Sequence, residues 1–503
     1  MKKHYFAKKV LQACLLFFMT ITTNMFAQVG IGTITPHASS VLDVSSTTQG
    51  MLTPRMTTAQ RVAIVSPADG LMVYDTDLKS LYHYNITTIS WNKMSSDANG
   101  RLKFKRIKST DVLATVLAAE KTAGGTTTYL LDANTYYEIN GTIIFDLPID
   151  LNNAYVSGQD ANEDKLVRTS GNLFDGATGG SIRNVTIQVT GGGKVFNLSG
   201  TIAQNLIFRD TVIAGSSNVG SITGFGLVFV SIVQFVGNTT GIVYDSISKL
   251  LISNAAWFSN NAGTYEKLQG TFGLVQKQGG FSEVTGTSIG FDVSSDPIIT
   301  GDAVMETVVF TGAVSGAGAY VKPYTGVYSG YNFNNNWSVR CSGIPTEGDS
   351  NATGFLYDSN NTVASRTTAT NLNQAYKVVT NTTSTNNLFR VTSGTTGRLT
   401  YVGKKPRVFQ VNASLSFVES TAGNNTNYLF YIAKIASNGT TVTALPATET
   451  FLDTNSGFVQ AFPVTGTVQL NTNESVEVYL KRITNPSSAK INIDVYSLNM
   501  SIK

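Results

Sequence analysis

The sequence predicts an all-β fold: a right-handed parallel β-helix with a small N-terminal β module and a C-terminal antiparallel jelly-roll sandwich. Three observations predict it. Charged residues make up only 14% of the 503, while Gly, Thr, Ser and Asn abound beside aromatic and β-branched residues, a mixture that favours strands and turns over helices. Strand-length apolar runs recur through the middle of the chain at a nearly constant interval. The C-terminal segment alternates apolar and polar residues with period two.

Residues 1–28 read as a secretory signal. Lys2, Lys3, Lys8 and Lys9 precede an apolar stretch centred on Leu15, Leu16, Phe17 and Phe18, and a polar step leads to Ala27 and Gln28, where a small residue offers a cleavage point. The apolar run is shorter than the roughly 20 residues a spanning helix needs, and no transmembrane segment is expected in the mature chain. Cys14 precedes most of the apolar run, a position that does not suit lipidation. Cleavage removes four lysines, so the formal charge of +4 falls close to neutral; this argues against nucleic-acid binding by charge. Cys341 is then the one remaining cysteine, which excludes an internal disulfide and a cysteine metal cluster.

Residues 29–100 form a distinct module of short strands broken by Pro and Gly turns, with one helical turn near Thr57 to Arg61. It contains Leu42-Asp-Val-Ser-Ser46, then Gly50-Met-Leu-Thr-Pro-Arg-Met-Thr-Thr-Ala-Gln-Arg61, then Gly70-Leu-Met-Val-Tyr-Asp-Thr-Asp77, and closes on Leu81-Tyr-His-Tyr-Asn85 and Trp91. This series resembles a module near the N-terminus of many exported Bacteroidota surface proteins and of phage tail-fibre proteins. The usual Tyr-Asn-Gly-x-x-Trp ending is altered here by Ile86-Thr-Thr-Ile-Ser90. The resemblance implies a surface or fibre context and frequent trimerisation, and it implies no catalytic residue.

Residues 101–125 read as a linker. Their basic stretch, Arg101-Leu-Lys-Phe-Lys-Arg-Ile-Lys108, alternates charge with apolar residues, as a solvated linker or an edge strand does. Residues 126–345 carry the repeats: Asn184-Val-Thr-Ile187, Asn205-Leu-Ile-Phe208, Gly226-Leu-Val-Phe229 and Lys249-Leu-Leu-Ile252, at intervals of 21, 21 and 23 residues. A second series runs through Phe174, Phe196 and Tyr244, with a weaker step near Val219. A unit of this length cannot bury its apolar face alone, but stacked units can, so a parallel β-helix is expected. The entry from Tyr137 to Gly158 resembles the first coils of pectate-lyase-like and tailspike-like β-helices.

Residues 346–387, rich in Asn, Thr and Ser, read as a linker or extended interchain segment. Residues 388–503 contain at least six alternating strands. In one, Phe409, Val411, Leu415 and Phe417 alternate with Gln410, Asn412, Ser414 and Ser416, which gives one core face and one polar face. The next, Tyr428-Leu-Phe-Tyr-Ile432, is apolar on both faces; a second protomer is the expected second cover, near a trimer axis. The strand order resembles the trimeric jelly rolls that tip phage fibres and collectin-like heads.

The residue inventory restricts chemistry sharply. The three histidines, His4, His37 and His83, all precede the β-helix, so neither a Ser-His-acid triad nor a histidine zinc site fits its main body. Gly191-Gly-Gly193 leads into a strand rather than a helix and is no nucleotide loop. A β-helix can still perform glycoside hydrolysis with two carboxylates, and the resemblance to polysaccharide lyases implies Asp-bound Ca2+ with Arg or Lys as base. The candidates are Asp160, Glu163 and Asp164 in the loop that lengthens the first coil, with Arg183, Arg209 and Asp210; a solvated turn and a surface ion pair are the plain alternatives. Tyr324, Tyr328, Tyr331 and Trp337, with Trp257, could stack on sugar rings or cap the open end of the solenoid. No cofactor is expected, with Ca2+ the one ion the loop would admit. The reading that best fits is an exported homotrimeric surface or fibre protein that mediates adhesion or glycan recognition. Its competitors are a tailspike-like lyase or hydrolase, and a structural subunit of an extracellular filament.

Overall fold

A computed structural model describes residues 2–20, 28–94, 103–358, 365–420, 426–454, 457–484 and 490–503. The expected cleavage residue Ala27 and the start of the basic stretch, Arg101 and Leu102, lie outside the described residues. The chain divides into two compact units, residues 1–101 and 102–503. Among the described residues, no helix is long and apolar enough to cross a membrane.

The first unit opens with the helix Lys2–Thr20 and a short parallel pair, Val29–Ile31 with Leu42–Val44. Its ordered core is a four-stranded sheet, Arg55–Met56, Met72–Asp75, Ser80–Asn85 and Ser90–Lys93, and the motif residues are what hold it. Thr57 and Gln60 close a capping box on the helix Thr58–Val62. That helix presents Arg61 to Asp75 (Nε–Oδ2 2.9 Å), and the guanidinium lies 4.1 Å from the ring centre of Tyr82. The inserted residues extend the last hairpin, and Trp91 still meets Tyr84 edge-on at 5.5 Å.

Burial alone would raise the Asp75 carboxyl. The amides of Leu78 and Asp77, the Arg61 guanidinium and the Thr58 hydroxyl outweigh it and hold the group at about 2, against 3.8 in the open chain. A depressed native value means that the stabilisation is complete above about pH 4 and is lost as the pH falls toward 2. Asp75→Asn should therefore flatten the acid transition of residues 55–93 in that window, read by hydrogen exchange. An unchanged profile would place the acid sensitivity elsewhere.

The second unit begins with a parallel solenoid of about eight turns. One sheet runs from Phe104–Lys108 to Trp337–Ser342, and a nine-stranded second sheet runs from Tyr129–Leu130 to Ala319–Lys322, all strands parallel. The basic stretch is thus the solenoid's first strand: Phe104–Lys108 pairs with Tyr136–Asn140. Its charges are matched by Arg106–Glu138 at 3.0 Å and Lys105–Glu120 at 2.5 Å. Short helices on either side of buried Leu117 close this end of the core. Of the residues expected to form a linker, 103–125 are accordingly a strand and a cap.

The runs at 205, 226 and 249 stack, with the middle one displaced by one residue: Leu227 lies opposite Asn205 and Lys249, which puts Leu206 on Val228 on Leu250 and Phe208 on Val230 on Ile252. The run at 184 does not join that row; Thr186 and Ile187 pair with Val212 and Ile213 instead. The reason is a corner inside the long strands. Asn184, Asp210, Ile232, Asn254, Gly279 and Thr307 all have positive φ, and the flanking registers place them in one column. Each turns the chain from one face of the solenoid to the next. In the second series Phe174 stacks on Phe196, but the row continues through Gly220 to Ile242, and Tyr244 lies two residues along, opposite Ile222. At Gly220, φ 104°, a Cβ would lie 1.9 Å from the carbonyl oxygen of Phe196, so a side chain there would break the stack.

Polar residues also stack inside. Asn238 and Asn261 are buried at another corner, where the amide of Asn238 donates to Asn261 Oδ1 at 2.9 Å and Asn238 Oδ1 accepts the Ser216 amide at 3.0 Å. Such a ladder satisfies backbone groups that the turn leaves unpaired. In the lumen, Phe235, Trp257 and Tyr265 stack at 3.8 and 5.1 Å, so Trp257 lies within the column and caps nothing. Beside it, Lys277 and Glu266, both fully buried, form an ion pair of 2.7 Å, and the Trp257 indole donates to Glu266 Oε1 at 3.1 Å.

Two antiparallel sheets, of six and seven strands, follow around a shared apolar core. They begin earlier than the sequence predicts. Thr353–Asp358, Ser365–Ala369, Ala375–Lys377 and Ser384–Phe389 are strands of these sheets, so the Asn/Thr/Ser-rich residues are not a linker. The strand Thr426–Ile435 is buried on both faces, as its composition demands. Its second cover, however, comes from the same chain: Tyr431 is 1% exposed, in a small cluster with Ala433, Ile435, Ala444 and Tyr479. Lys481 Nζ lies 5.2 Å from the Tyr431 ring centre. The placement of this strand at a trimer axis therefore loses its premise.

Candidate functional site

The acidic loop is a turn that satisfies itself. Asp164, nearly buried, accepts the Gly141 amide with Oδ1 (2.8 Å) and the Gln159 and Asp160 amides with Oδ2 (2.7 and 3.1 Å). Asp160 Oδ1 accepts the Asn162 amide at 2.8 Å, and Glu163 is exposed. Oxygens committed to backbone amides are poor ligands, so the loop does not fit Ca2+. Among the described residues, no three His, Cys, Asp or Glu side chains are grouped as a metal requires.

Arg209 and Asp210 form a half-exposed pair (Nε–Oδ2 3.5 Å), and Asp210 occupies a corner position. Arg183 stacks in register beneath Arg209 and lies over the Tyr136 ring at 5.9 Å. Asp164 bonds through its carbonyl to Thr186, one rung below the Val212 rung that adjoins Asp210. Two rungs of about 4.8 Å separate the Asp164 and Asp210 positions, and both Asp164 oxygens are taken up by backbone amides.

The four aromatic candidates do converge. Trp337 and Tyr324 are buried in the last coils, where the indole donates to the Tyr324 hydroxyl at 3.0 Å and that hydroxyl donates to the Pro297 carbonyl at 2.9 Å. Burial pushes the Tyr324 hydroxyl up to about 12. Tyr331 and Tyr328 are half-buried against Phe389 of the sandwich, stacked at 3.9 Å and edge-on at 5.5 Å. Tyr324 and Trp337 thus cap the solenoid, while Tyr328 and Tyr331 join it to the sandwich. Tyr331 also lines a cleft of about 550 Å³ with Ser329, Thr353 and Asn387.

A polar knot completes this junction. Arg390, in the left-handed conformation and 2% exposed, reaches from the sandwich to Asp349 (2.6 Å) and to the Trp337 carbonyl (2.5 Å). Asp349 also accepts the amides of Lys404 and Lys405 at 3.1 and 2.9 Å. Nearby, Glu347 accepts the amides of Asn332 and Phe333, yet burial outweighs those bonds and pushes its carboxyl up. Around the knot lies a second cleft, of about 490 Å³, with Asp302, Glu306, Asp349, Arg390, Lys404 and Lys405 on its walls. None of these six was singled out from sequence; the one available signal was Lys404-Lys405-Pro406, a basic pair in a charge-poor segment.

A different surface stands out in the first unit. Val29, Ile31, Ile34, Val41, Leu42 and Leu52 are all more than half exposed, Ile34 at 99% and Leu52 at 82%. The parallel pair Val29–Ile31 and Leu42–Val44 buries none of its residues. Next to this stretch, Met51, Leu52, Met72, Tyr74 and Leu81 line an apolar groove of about 390 Å³.

Residues 30–110 match the sequence family described as the phage tail like trimerisation region. That region and the β-solenoid together fit phage tail-fibre-like proteins, and the match supports self-association. Comparison with curated proteins gives no match. Among solved structures, the Eiger TNF of S. frugiperda is similar over 30% of this chain and 91% of its own, at 10% identity and a TM-score of 0.22. A likeness that slight carries no functional argument.

Proposed function

We propose that this is an exported, homotrimeric fibre-like surface protein whose role is adhesion to glycans. The N-terminal helix with its basic start is the export signal in this reading, and the solenoid is the shaft on which the sandwich is carried. One observation carries the trimer: Val29, Ile31, Ile34, Val41, Leu42 and Leu52 are more than half exposed, and all but Val29 lie within the stretch that matches a trimerisation region. Burying six such side chains at about 1.5–3 kcal/mol each is of the size needed to offset an association cost of about 4–15 kcal/mol. The open parallel pair and the groove beside it supply complementary surfaces for copies of the same segment.

Light scattering of the mature protein at micromolar concentration should give three chains per particle. The double variant Ile31→Asp, Leu42→Asp should give monomers whose solenoid remains folded. A monomeric wild type, or a trimer indifferent to both charges, would remove the reading. The glycan part rests on the junction clefts, where amide, hydroxyl and aromatic groups converge.

A further inference from the structure

We propose that the 490 Å³ cleft between the last coil and the sandwich binds an uncharged segment of glycan, an inference that rests on the adhesion reading above. Its volume falls within the range of about 300–1,000 Å³ of small-ligand sites. Its charge decides the ligand class. Arg390, Lys404 and Lys405 line the same space as Asp302, Glu306 and Asp349. Arg390 is paired to Asp349 at 2.6 Å, and Lys404 approaches Asp302 at 3.7 Å. A polyanion would meet three carboxylates and a polycation three cations. A polyhydroxyl ligand, donor and acceptor at every hydroxyl, can use both sets without a charge penalty.

A second observation points to a ligand. The Arg390 side chain is almost fully buried, and its Nε finds no hydrogen-bond partner in the chain. A buried donor left unpaired is costly, and a small shift of the lining lets a hydroxyl or ring oxygen in the cleft meet it. The rest of the lining is already fixed. Asp349 fixes Arg390 and the backbone of Lys404 and Lys405, while Asn336 Nδ2 is anchored on the Ile299 carbonyl at 3.0 Å. Ser338 and Ser350 stand exposed on the lining, with their hydroxyls available to sugar.

The test titrates the full-length protein with neutral tetrasaccharides of glucose, mannose, galactose and N-acetylglucosamine, and with tetragalacturonate as the acidic probe. At least one neutral probe should bind. Lys405→Ala should weaken it about tenfold, the loss of one charged hydrogen bond, and Ser338→Leu should abolish it by filling the cleft. Lys165→Ala, in an early coil, should leave it unchanged, and all three variants should keep the wild-type melting temperature. Neutral binding that survives both cleft variants overturns the cleft and leaves the adhesion reading standing. Preference for tetragalacturonate overturns the assignment to uncharged sugar. If no probe binds here or on a broad glycan array, the cleft and the adhesion reading fall together.

Discussion

Lys277→Met should destabilise the solenoid by about 3–5 kcal/mol, the usual cost of stranding one member of a buried ion pair. The partner left behind is Glu266, fully buried and held by the Trp257 indole at 3.1 Å. The aromatic stack of Phe235, Trp257 and Tyr265 beside it offers the carboxylate no second cation. Glu266→Met alone should cost a similar amount by stranding the ammonium, which lies 6.0 Å from the Phe291 ring centre. The double variant should recover most of the loss, since two well-packed apolar side chains need no desolvation repaid. Denaturant midpoints for the four proteins close the cycle. If the single variants match wild type, the pair carries no energetic weight in the lumen.

Arg390→Met should separate the sandwich from the solenoid without unfolding either. It removes the bonds to Asp349 and to the Trp337 carbonyl and leaves the Asp349 carboxylate, which is 15% exposed, with two backbone amides and with Arg407, which donates to the Asp349 carbonyl, as the nearby cation. The expected loss is again about 3–5 kcal/mol, confined to the docking surface. One cooperative unfolding transition should become two, and a protease should gain access near residues 343–352. Arg390→Lys should not rescue, because one ammonium cannot span two acceptors that a guanidinium fork reaches together. A single transition at wild-type stability would show that Tyr331 on Phe389 suffices to hold the two parts.

The sequence made the solenoid legible wherever inward positions repeat with the same chemistry. The runs at 205, 226 and 249 could be aligned by eye, and they stack, though the middle one is shifted by one residue so that Val230 rather than Phe229 lies between Phe208 and Ile252. Legibility failed where conformation, not hydrophobicity, marks the position. The corner column runs Asn, Asp, Ile, Asn, Gly, Thr, and nothing in that series signals a shared backbone angle; hence Asp210 looked chemical when its place is conformational. The strands between Thr353 and Phe389 were hidden because residues such as Ser384, Thr385 and Asn386 pair along the backbone and leave no apolar alternation. Glu266 and Lys277 were missed for the opposite reason: charged residues at inward positions look like surface until the coils are counted. The junction knot joins Asp349 to Arg390 across 41 residues and could be found only once the fold had brought them together.

The parallel solenoid has a mechanical consequence. Its rungs are joined by hydrogen bonds that run along the stacking direction, so a pull between the first coil and the sandwich loads the rungs in series. A column loaded in series yields at its weakest joint, and end coils have a neighbour on one side only. Here both ends are guarded, by the short helices around Leu117 and by the Arg390–Asp349 clasp. Under tension the clasp gives way before the interior, and the coils behind it stay stacked as a template on which the sandwich can dock again when the load is released.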